Sequence, residues 1–478
     1  MTSSSSSTVS HAPASWGQLF CGRNGWLALA LTGGVALHAI NVHIVTTVLP
    51  SVVADIGGLD WYAWSTTLFV VASIIGAALS VRFLAALGPR GAYLLALALF
   101  VVGSVACAGA PSMAWMLAGR SVQGLGGGML AALSYALIRV VFEPLLWPRA
   151  VALVSGMWGV ATLCGPAVGG LFAQAGHWRW AFWALLPVAA WQAFLVSWQL
   201  GRNKAQKQEA PKVASLQIGL LAASVLAVAG GSLSTQLLWQ GLGVVLGLGL
   251  GTAAIAVDRH NQGGRGVSLL PDGATYTGTA LGGIYACVAL LLLGTTTEIF
   301  VPYFLQTLHG LSPLAAGYLT AAMAAGWSAG SLLSSGRSGA MAVALQRVGP
   351  MLCTVSLLAL GLLIPLDAAA WPAALLLSLF ALALAGVGAG VGMGWPHLLT
   401  RVLTVAPKGQ EDMASAAITT VQLYGMAIGA ALAGLVANMA GLTQPGGVAG
   451  AQSAAAWLFV LFALAPAYAA WLLHRQLK

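Results

Sequence analysis

Charge is what this chain has least of. Only 6% of its 478 residues are Asp, Glu, Lys or Arg, and the acids number 10. A soluble domain carries roughly 25% charged residues to wet its surface. Water is therefore excluded as the sole solvent. Cysteine is also sparse, with five residues (Cys21, Cys107, Cys164, Cys287, Cys353) and no CxxC pair. That scatter excludes a disulfide framework and a metal cluster, and the cysteines read as small buried apolar residues. No HExxH, Walker-type loop or GxGxxG occurs; the glycine runs QGLGGGM and GVGAGVGMG lack the required spacing and lie in apolar stretches. Sites for a catalytic metal, ATP or a dinucleotide are thus not expected. Neither an enzymatic activity nor a cofactor is expected.

What the chain has instead is apolar length. Hydrophobic residues make up 59% and mean hydropathy is +0.89. In lipid every backbone polar group needs an internal partner, which leaves helices or a closed barrel. Barrel strands alternate apolar and polar residues, whereas LALALTGGVAL and LLALALFVVGSVACAGA are apolar all round. The fold class is therefore an all-α integral membrane protein. A span needs about 20 apolar residues, and fourteen such runs follow one another from 26–49 to 453–473. The polar start MTSSSSSTVSHAPAS is expected to lack order and to be no signal peptide, because it has no basic region.

The basic residues fix an orientation. With the N-terminus cytoplasmic, all of the 19 Lys and Arg except Arg120 and Arg179 fall at inner loops or ends, as the positive-inside rule requires. The formal charge of +9 then reflects topology, and nucleic acid is no expected partner. Trp61, Trp64, Trp178, Trp180, Trp239 and Trp371 fall at outer ends, where an aromatic belt belongs. The basic linker GRNKAQKQEAPK and the polar loop DRHNQGGRG divide the chain. The expected plan is a cytoplasmic N-terminus (1–25), a six-helix bundle (26–200), the linker with two extra central helices and their loop (201–276), and a second six-helix bundle (277–478). Two such bundles rocking about a central site make a transporter.

Four segments carry a resemblance. RSVQGLG, with Arg120, Gln123, Gly124 and Gly126, resembles the fourth-helix signature R-x-x-Q-G-x-G of the major facilitator superfamily. GVATLCGPAVGG, with Gly159, Gly165, Pro166, Gly169 and Gly170, resembles its fifth-helix antiporter signature. WRWAFWALLP and PYFLQTLHGLSPLAAG are similar to segments of its fourteen-span drug:proton antiporter group. The resemblance implies the major-facilitator-type fold and proton-coupled export of small amphipathic molecules by alternating access, in a bacterial inner membrane with both termini cytoplasmic. Its partners would be a small-molecule substrate, protons and the lipid bilayer, and the chain would act as a monomer. Two departures stand out. The family's first-helix aspartate is replaced by Asn41, and its loop motif after the second helix keeps only Gly88 and Arg90 clearly.

An ionisable group inside a membrane helix costs roughly 2.5–3.5 kcal/mol, so its presence implies use. Glu298 is the one acid within an expected span. It stands 17 residues after Leu281 in the sequence, about 25 Å at ~1.5 Å each, in the outer part of the helix. Arg120 is the embedded basic residue, suited to polarising a proton carrier or holding an anion. Histidine changes charge near neutral pH, so His38 or His43 could replace the absent aspartate; about 140° apart around a helix, they do not share a face. Glu298, His43 and Arg120 are the candidates for proton coupling, and Asn41, His38 and Gln123 for the substrate cavity. Gly159, Gly165, Pro166, Gly169 and Gly170 are candidates for gating and helix packing. So few acids suit neutral, zwitterionic or anionic substrates, such as a siderophore-like carboxylate. A facilitator-type importer is the further alternative.

Overall fold

The computed structural model describes residues 16–200, 212–263, 265–367 and 371–476. Helices account for all regular structure among them, with no strand. In chain order they are α1 (Trp16–Phe20), α2 (Gly22–Ile56), α3 (Tyr62–Ala108), α4 (Met113–Ala136), α5 (Ile138–Val141), α6 (Trp147–Gln174), α7 (Arg179–Trp183), α8 (Leu185–Gln199), α9 (Ser215–Gly231), α10 (Leu237–Asn261), α11 (Ala280–Thr295), α12 (Val301–His309), α13 (Pro313–Ser335), α14 (Gly339–Leu363), α15 (Ala373–Val405), α16 (Glu411–Met439), α17 (Gly447–Phe462) and α18 (Leu464–Gln476). Ten helical stretches among the described residues are long and apolar enough to cross a membrane. The chain is a multi-pass membrane protein.

One of these stretches is two arms in a row. Within α3, Gly88 takes φ 71° and ψ 175° and Pro89 follows. Only glycine adopts that backbone region readily, and proline lacks the N–H that would continue the ladder. The chain therefore reverses there without a separate loop, where the sequence had suggested one.

The expectation of disorder for residues 1–15 lies outside the described residues. Residues 16–25, included in the same expected segment, are helical instead. Leu19 is fully buried and the Arg149 guanidinium lies 5.5 Å from the Trp16 ring, so apolar packing and a cation–π contact order this stretch.

Small residues set how closely the helices approach. A Cβ on Gly76 would strike the Leu125 carbonyl, on Gly124 the Phe69 carbonyl and on Gly128 the Ser73 carbonyl. The α3–α4 pair is thus in backbone contact. Gly326, Gly388 and Gly392 do the same for α13 and α15, against Ala385, Met323 and Trp327. In lipid, where helix association gains nothing from hydrophobic burial, such contacts hold helices together through dispersion. Buried tyrosines add polar ties: Tyr93 donates to the Ala30 carbonyl (3.0 Å) and Tyr285 to the Ala414 carbonyl (2.8 Å).

The two ends of the described chain lie at one end of the molecule, the terminal end. There Trp16 meets Arg149, Arg139 lies 3.6 Å from Asp412, and Gln476 donates to the Thr279 carbonyl (3.3 Å). At the far end Arg179 pairs with Asp55 (2.6 Å) and donates to the Ala110 carbonyl (3.0 Å).

Helix α9 fills the seam between α3 and α16. Phe69, Val70, Val71 and Ile74 of α3, Ile218, Ala222 and Val225 of α9, and Ala427, Ala431 and Leu435 of α16 form one apolar cluster separate from the main core. Ser224 bonds Tyr424 (3.1 Å), and Asn438 of α16 donates both to the Ser232 carbonyl (3.0 Å) and to the Asp60 carbonyl (3.2 Å).

Candidate functional site

Arg120 is the largest fully buried side chain, 1% exposed on α4. No carboxylate pairs with it among the described residues. Its Nη1 donates to Gln123 Oε1 at 2.6 Å, one helical turn on, and its Nε to the Ser65 carbonyl at 3.3 Å. Gln123 passes the chain on, donating from Nε2 to Ser104 Oγ at 2.8 Å. The guanidinium also lies 4.0 Å from the Phe69 ring centroid. A buried cation is thus held by neutral acceptors and a π face, and its charge remains uncancelled.

Phe69 continues into a ladder of rings. His38 of α2 stacks on it at 5.4 Å, and Trp158 of α6 meets His38 edge-on at 5.9 Å. Four helices thus contribute in turn, from Arg120 through Phe69 and His38 to Trp158. The sequence had singled out the charged and histidine members. Phe69 and Trp158 carried no signal, because their role depends on which helices become neighbours.

Three residues on or next to this line carry buried polar atoms with no protein partner among the described residues: His38 Nδ1, both amide atoms of Asn41 and Ser65 Oγ. Buried polar groups are almost always hydrogen-bonded, so these atoms are free to bind a further group. Asn41, His38 and Gln123, expected to line a cavity, sit inside the packed α2–α3–α4 region at 0%, 6% and 0% exposure. They are not on an open wall, and Gln123 uses its amide on Arg120 and Ser104.

Glu298 lies elsewhere. The helix that carries it is interrupted: α11 ends at Thr295, Thr296–Ile299 form a 3-10 turn, and α12 begins at Val301. Three threonines precede the carboxylate, and Thr295 and Thr296 bond back to the carbonyls three residues earlier, at 2.8 and 2.7 Å. A break of this kind loosens the regular helical hydrogen-bond ladder beside the carboxylate. The Glu298 side chain is half-buried and makes no ion pair or side-chain hydrogen bond among the described residues. Among the described residues neither Arg120 nor His43 makes an ion pair with it.

Just beyond, an aromatic cluster closes the far end. Tyr62 stacks on Phe300 (5.0 Å) and meets Tyr303 edge-on (5.5 Å). Helices α6 and α13 close beside it. A Cβ on Gly170 would stand 2.6 Å from Leu314 Cα, and one on Gly317 would stand 2.6 Å from Thr47 Cγ2 and 3.2 Å from Pro166 Cβ. Gly165 takes the Cβ of His43 against its backbone, and Gly169 stands 3.0 Å from the Ile44 carbonyl by the same measure. Four of the five residues of the fifth-helix signature therefore lie at close approaches. Gly159 does not: nothing among the described residues stands within 4 Å of its added Cβ. Gly88 serves the reversal within α3, and Arg90 follows one residue after Pro89.

Known proteins give this geometry its context. The family model described as Major Facilitator Superfamily matches residues 31–430. A probable multidrug-efflux transporter of Mycobacterium tuberculosis is 40% identical over 434 residues, covering 89% of this chain and 90% of that protein. Among solved structures, a POT family transporter in complex with a thioalcohol-conjugated peptide aligns with a TM-score of 0.66 at 14% identity, over 95% of this chain and 96% of the other. A D-xylose–proton symporter aligns with a TM-score of 0.60 at 15% identity, over 93% and 97%. These two share the fold. A transporter, and not an enzyme, is what the sequence and the helical architecture describe together, and the chain belongs to the major facilitator superfamily.

Proposed function

We propose that this transporter exports small amphipathic molecules by alternating access, in antiport with protons. The observation that carries this reading is the unequal packing of α6 against α13. The two helices touch at Gly170–Leu314 and Pro166–Gly317 at the far end, while the terminal-end half of α6 is largely exposed. A molecule closed at one end and open at the other is one of the two states that alternating access requires. The 40% identity to a probable multidrug-efflux transporter supports export as the direction.

In this reading the membrane is crossed fourteen times. The ten long apolar stretches become fourteen when α3 counts as two arms and α4, α9 and α13 each cross. The division into a first six-helix bundle (26–200), an insert (201–276) and a second bundle (277–478) follows. The distribution of the basic residues supports a terminal end that faces the cytoplasm, in a bacterial inner membrane. A single chain, acting as a monomer, would suffice. Glu298, on a broken helix with no cationic partner, is the proton carrier. His43, packed on Gly165 at the α2–α6 contact, and Arg120 are the further coupling candidates.

Inside-out vesicles with a respiration-built gradient test this. Adding cationic, neutral and anionic amphiphiles in turn should release protons with at least one class. Glu298→Gln should abolish the release while leaving substrate binding within about threefold, because it keeps shape and removes the titrating group. Proton release that survives Glu298→Gln would reject Glu298 as the carrier. The uncancelled charge of Arg120 favours a second reading, in which the substrate is an anionic or zwitterionic metabolite such as a siderophore. Gradient-independent uptake of such a compound would favour a facilitator-type importer.

A further inference from the structure

The first turn of α2 and the last turn of α8 meet at the terminal end. A recess of 430 Å³ there is lined by Gly22, Arg23, Trp26, Trp198 and Gln199, none of which has a part in the transport reading. Its charge is of one sign. Arg23 is exposed and makes no ion pair among the described residues. The N-cap of α2, Cys21, makes no side-chain bond, so the N–H groups of the first turn are uncapped and favour an anion. No Asp or Glu occurs on α1, on α8 or on α2 before Asp55, and the chain continues from Gln199 into Arg202, Lys204 and Lys207.

Gln199 gives the recess a polar wall. It is only 8% exposed, and its side chain has no hydrogen-bond partner among the described residues although it lines the recess. A buried amide without a partner costs stability unless a ligand completes it. Beside it the Trp26 and Trp198 rings meet edge-on at 5.5 Å.

From Trp198 an aromatic track leads away from the terminal end. Phe194 stacks on Trp198 at 6.3 Å, and Trp191 stacks on Phe194 at 5.6 Å. All three are more than half exposed and share one face of α8. Trp191 stands about 10 Å along the helix from Trp198, at ~1.5 Å per residue. Leu29, six residues after Arg23 on α2, is exposed as well. An interfacial belt holds its rings at headgroup level, whereas these rings descend from a cationic recess into the hydrocarbon.

We propose that this recess binds the phosphate of an anionic phospholipid. The headgroup lies against Arg23, Gln199 and the start of α2, and the acyl chains run along Phe194, Trp191 and Leu29. A soluble phosphate would fill the recess and leave the track bare, so a lipid is the occupant that fits both. A headgroup ammonium would meet like charge at Arg23, so phosphatidylglycerol is preferred to phosphatidylcholine. Occupancy is independent of the direction and coupling of transport.

Native mass spectrometry of the full chain in mild detergent, with equimolar phosphatidylglycerol and phosphatidylcholine of matched acyl chains, tests this. Phosphatidylglycerol adducts should exceed phosphatidylcholine adducts by about fivefold or more. Arg23→Gln should lower phosphatidylglycerol binding by about tenfold, the loss of one charge-assisted contact. Arg337→Gln, at an exposed arginine between α13 and α14, should leave it unchanged. Gln199→Leu should lower it by about threefold or more, while the thermal midpoint without added lipid stays level or rises, because an unpartnered amide is removed. Trp191→Leu combined with Phe194→Leu should weaken phosphatidylglycerol binding, and excess glycerol 3-phosphate should not displace the lipid. Equal adducts of the two lipids, equal effects of Arg23→Gln and Arg337→Gln, or a thermal midpoint lowered by Gln199→Leu would overturn the proposal. Displacement by glycerol 3-phosphate, with no effect of the Trp191 and Phe194 changes, would also overturn it, in favour of a soluble phosphate ligand.

Discussion

Replacing Gly170 by leucine should push the molecule toward a state opened at its far end. A Cβ there would stand 2.6 Å from Leu314 Cα and 2.9 Å from its Cδ1, where ordinary contact begins at 3.4 Å. The nearer atom is backbone, so no rotamer change relieves it. The helices must separate locally, and a whole leucine side chain demands more than the Cβ alone. Overpacking of this kind costs about 1–3 kcal/mol. On the alternating-access reading the cost falls only on the state in which α6 and α13 touch, so the ratio of far-end-open to far-end-closed molecules rises about 5- to 150-fold. Complete inversion of a 1:99 equilibrium needs about 5.5 kcal/mol, so Gly170→Leu alone should give a mixture. Adding Gly317→Leu, which meets Thr47 and Pro166, should carry it further. Spin labels at Ala175→Cys and Ala373→Cys, both exposed near the far end, would report a longer-distance population. The exposed Cys21 and Cys164 would first be changed to serine, while Cys107, Cys287 and Cys353 are buried and need no change. An unchanged distance distribution in folded protein would refute the reasoning.

Two further outcomes follow from the packing. The pair Arg120→Met with Gln123→Leu removes a buried charge together with its acceptor, leaving no unpaired partner between them. Thermal unfolding in detergent should be within about 1 kcal/mol of wild type or more stable, while export falls about tenfold or more; a large loss of stability would mean that Arg120 serves the fold. Gly76→Val drives a side chain into the Leu125 carbonyl, cannot be relieved by side-chain motion, and should cost at least about 3 kcal/mol. Size-exclusion chromatography should then show aggregated protein, and a monodisperse, thermally unchanged variant would contradict the backbone contact between α3 and α4.

Much of this architecture was legible in the residues. Apolar run length found the helices because lipid leaves the backbone no other choice. The i to i+3 spacing of Arg120 and Gln123 already allowed their bond, and the glycines of the fifth-helix signature announced close approaches, which the structure has at each of them except Gly159. Other features were not legible. Gly88–Pro89 read as a loop, yet glycine's access to positive φ lets one residue do that work. The 3-10 turn at Glu298 follows from threonines bonding to carbonyls three residues back, a choice that composition alone does not force. The ring ladder was hidden for a simpler reason. Phe69 and Trp158 are ordinary apolar residues in their own helices, and only the tertiary arrangement brings them to His38.

The setting of α9 has a mechanical consequence. Toward α16 its polar contacts are directional, through Ser224–Tyr424 and Asn438–Ser232, and the loop after α10 adds Asp272–Gln410 bonds at 2.8 and 2.9 Å. Toward α3 the described contacts are apolar, within the cluster that holds Phe69, Ile74, Ile218 and Val225, and the directional bond reported on that flank is the one from Asn438 to the Asp60 carbonyl, in the turn before α3. Hydrogen bonds weaken steeply when misaligned, whereas apolar contact has no preferred direction. One flank of the insert is thus pinned, and the other is free to slide once the Asn438–Asp60 bond at the far end gives. Shear between the two halves of the molecule would be taken up along α3, and α9 and α10 would travel with the later helices of the chain.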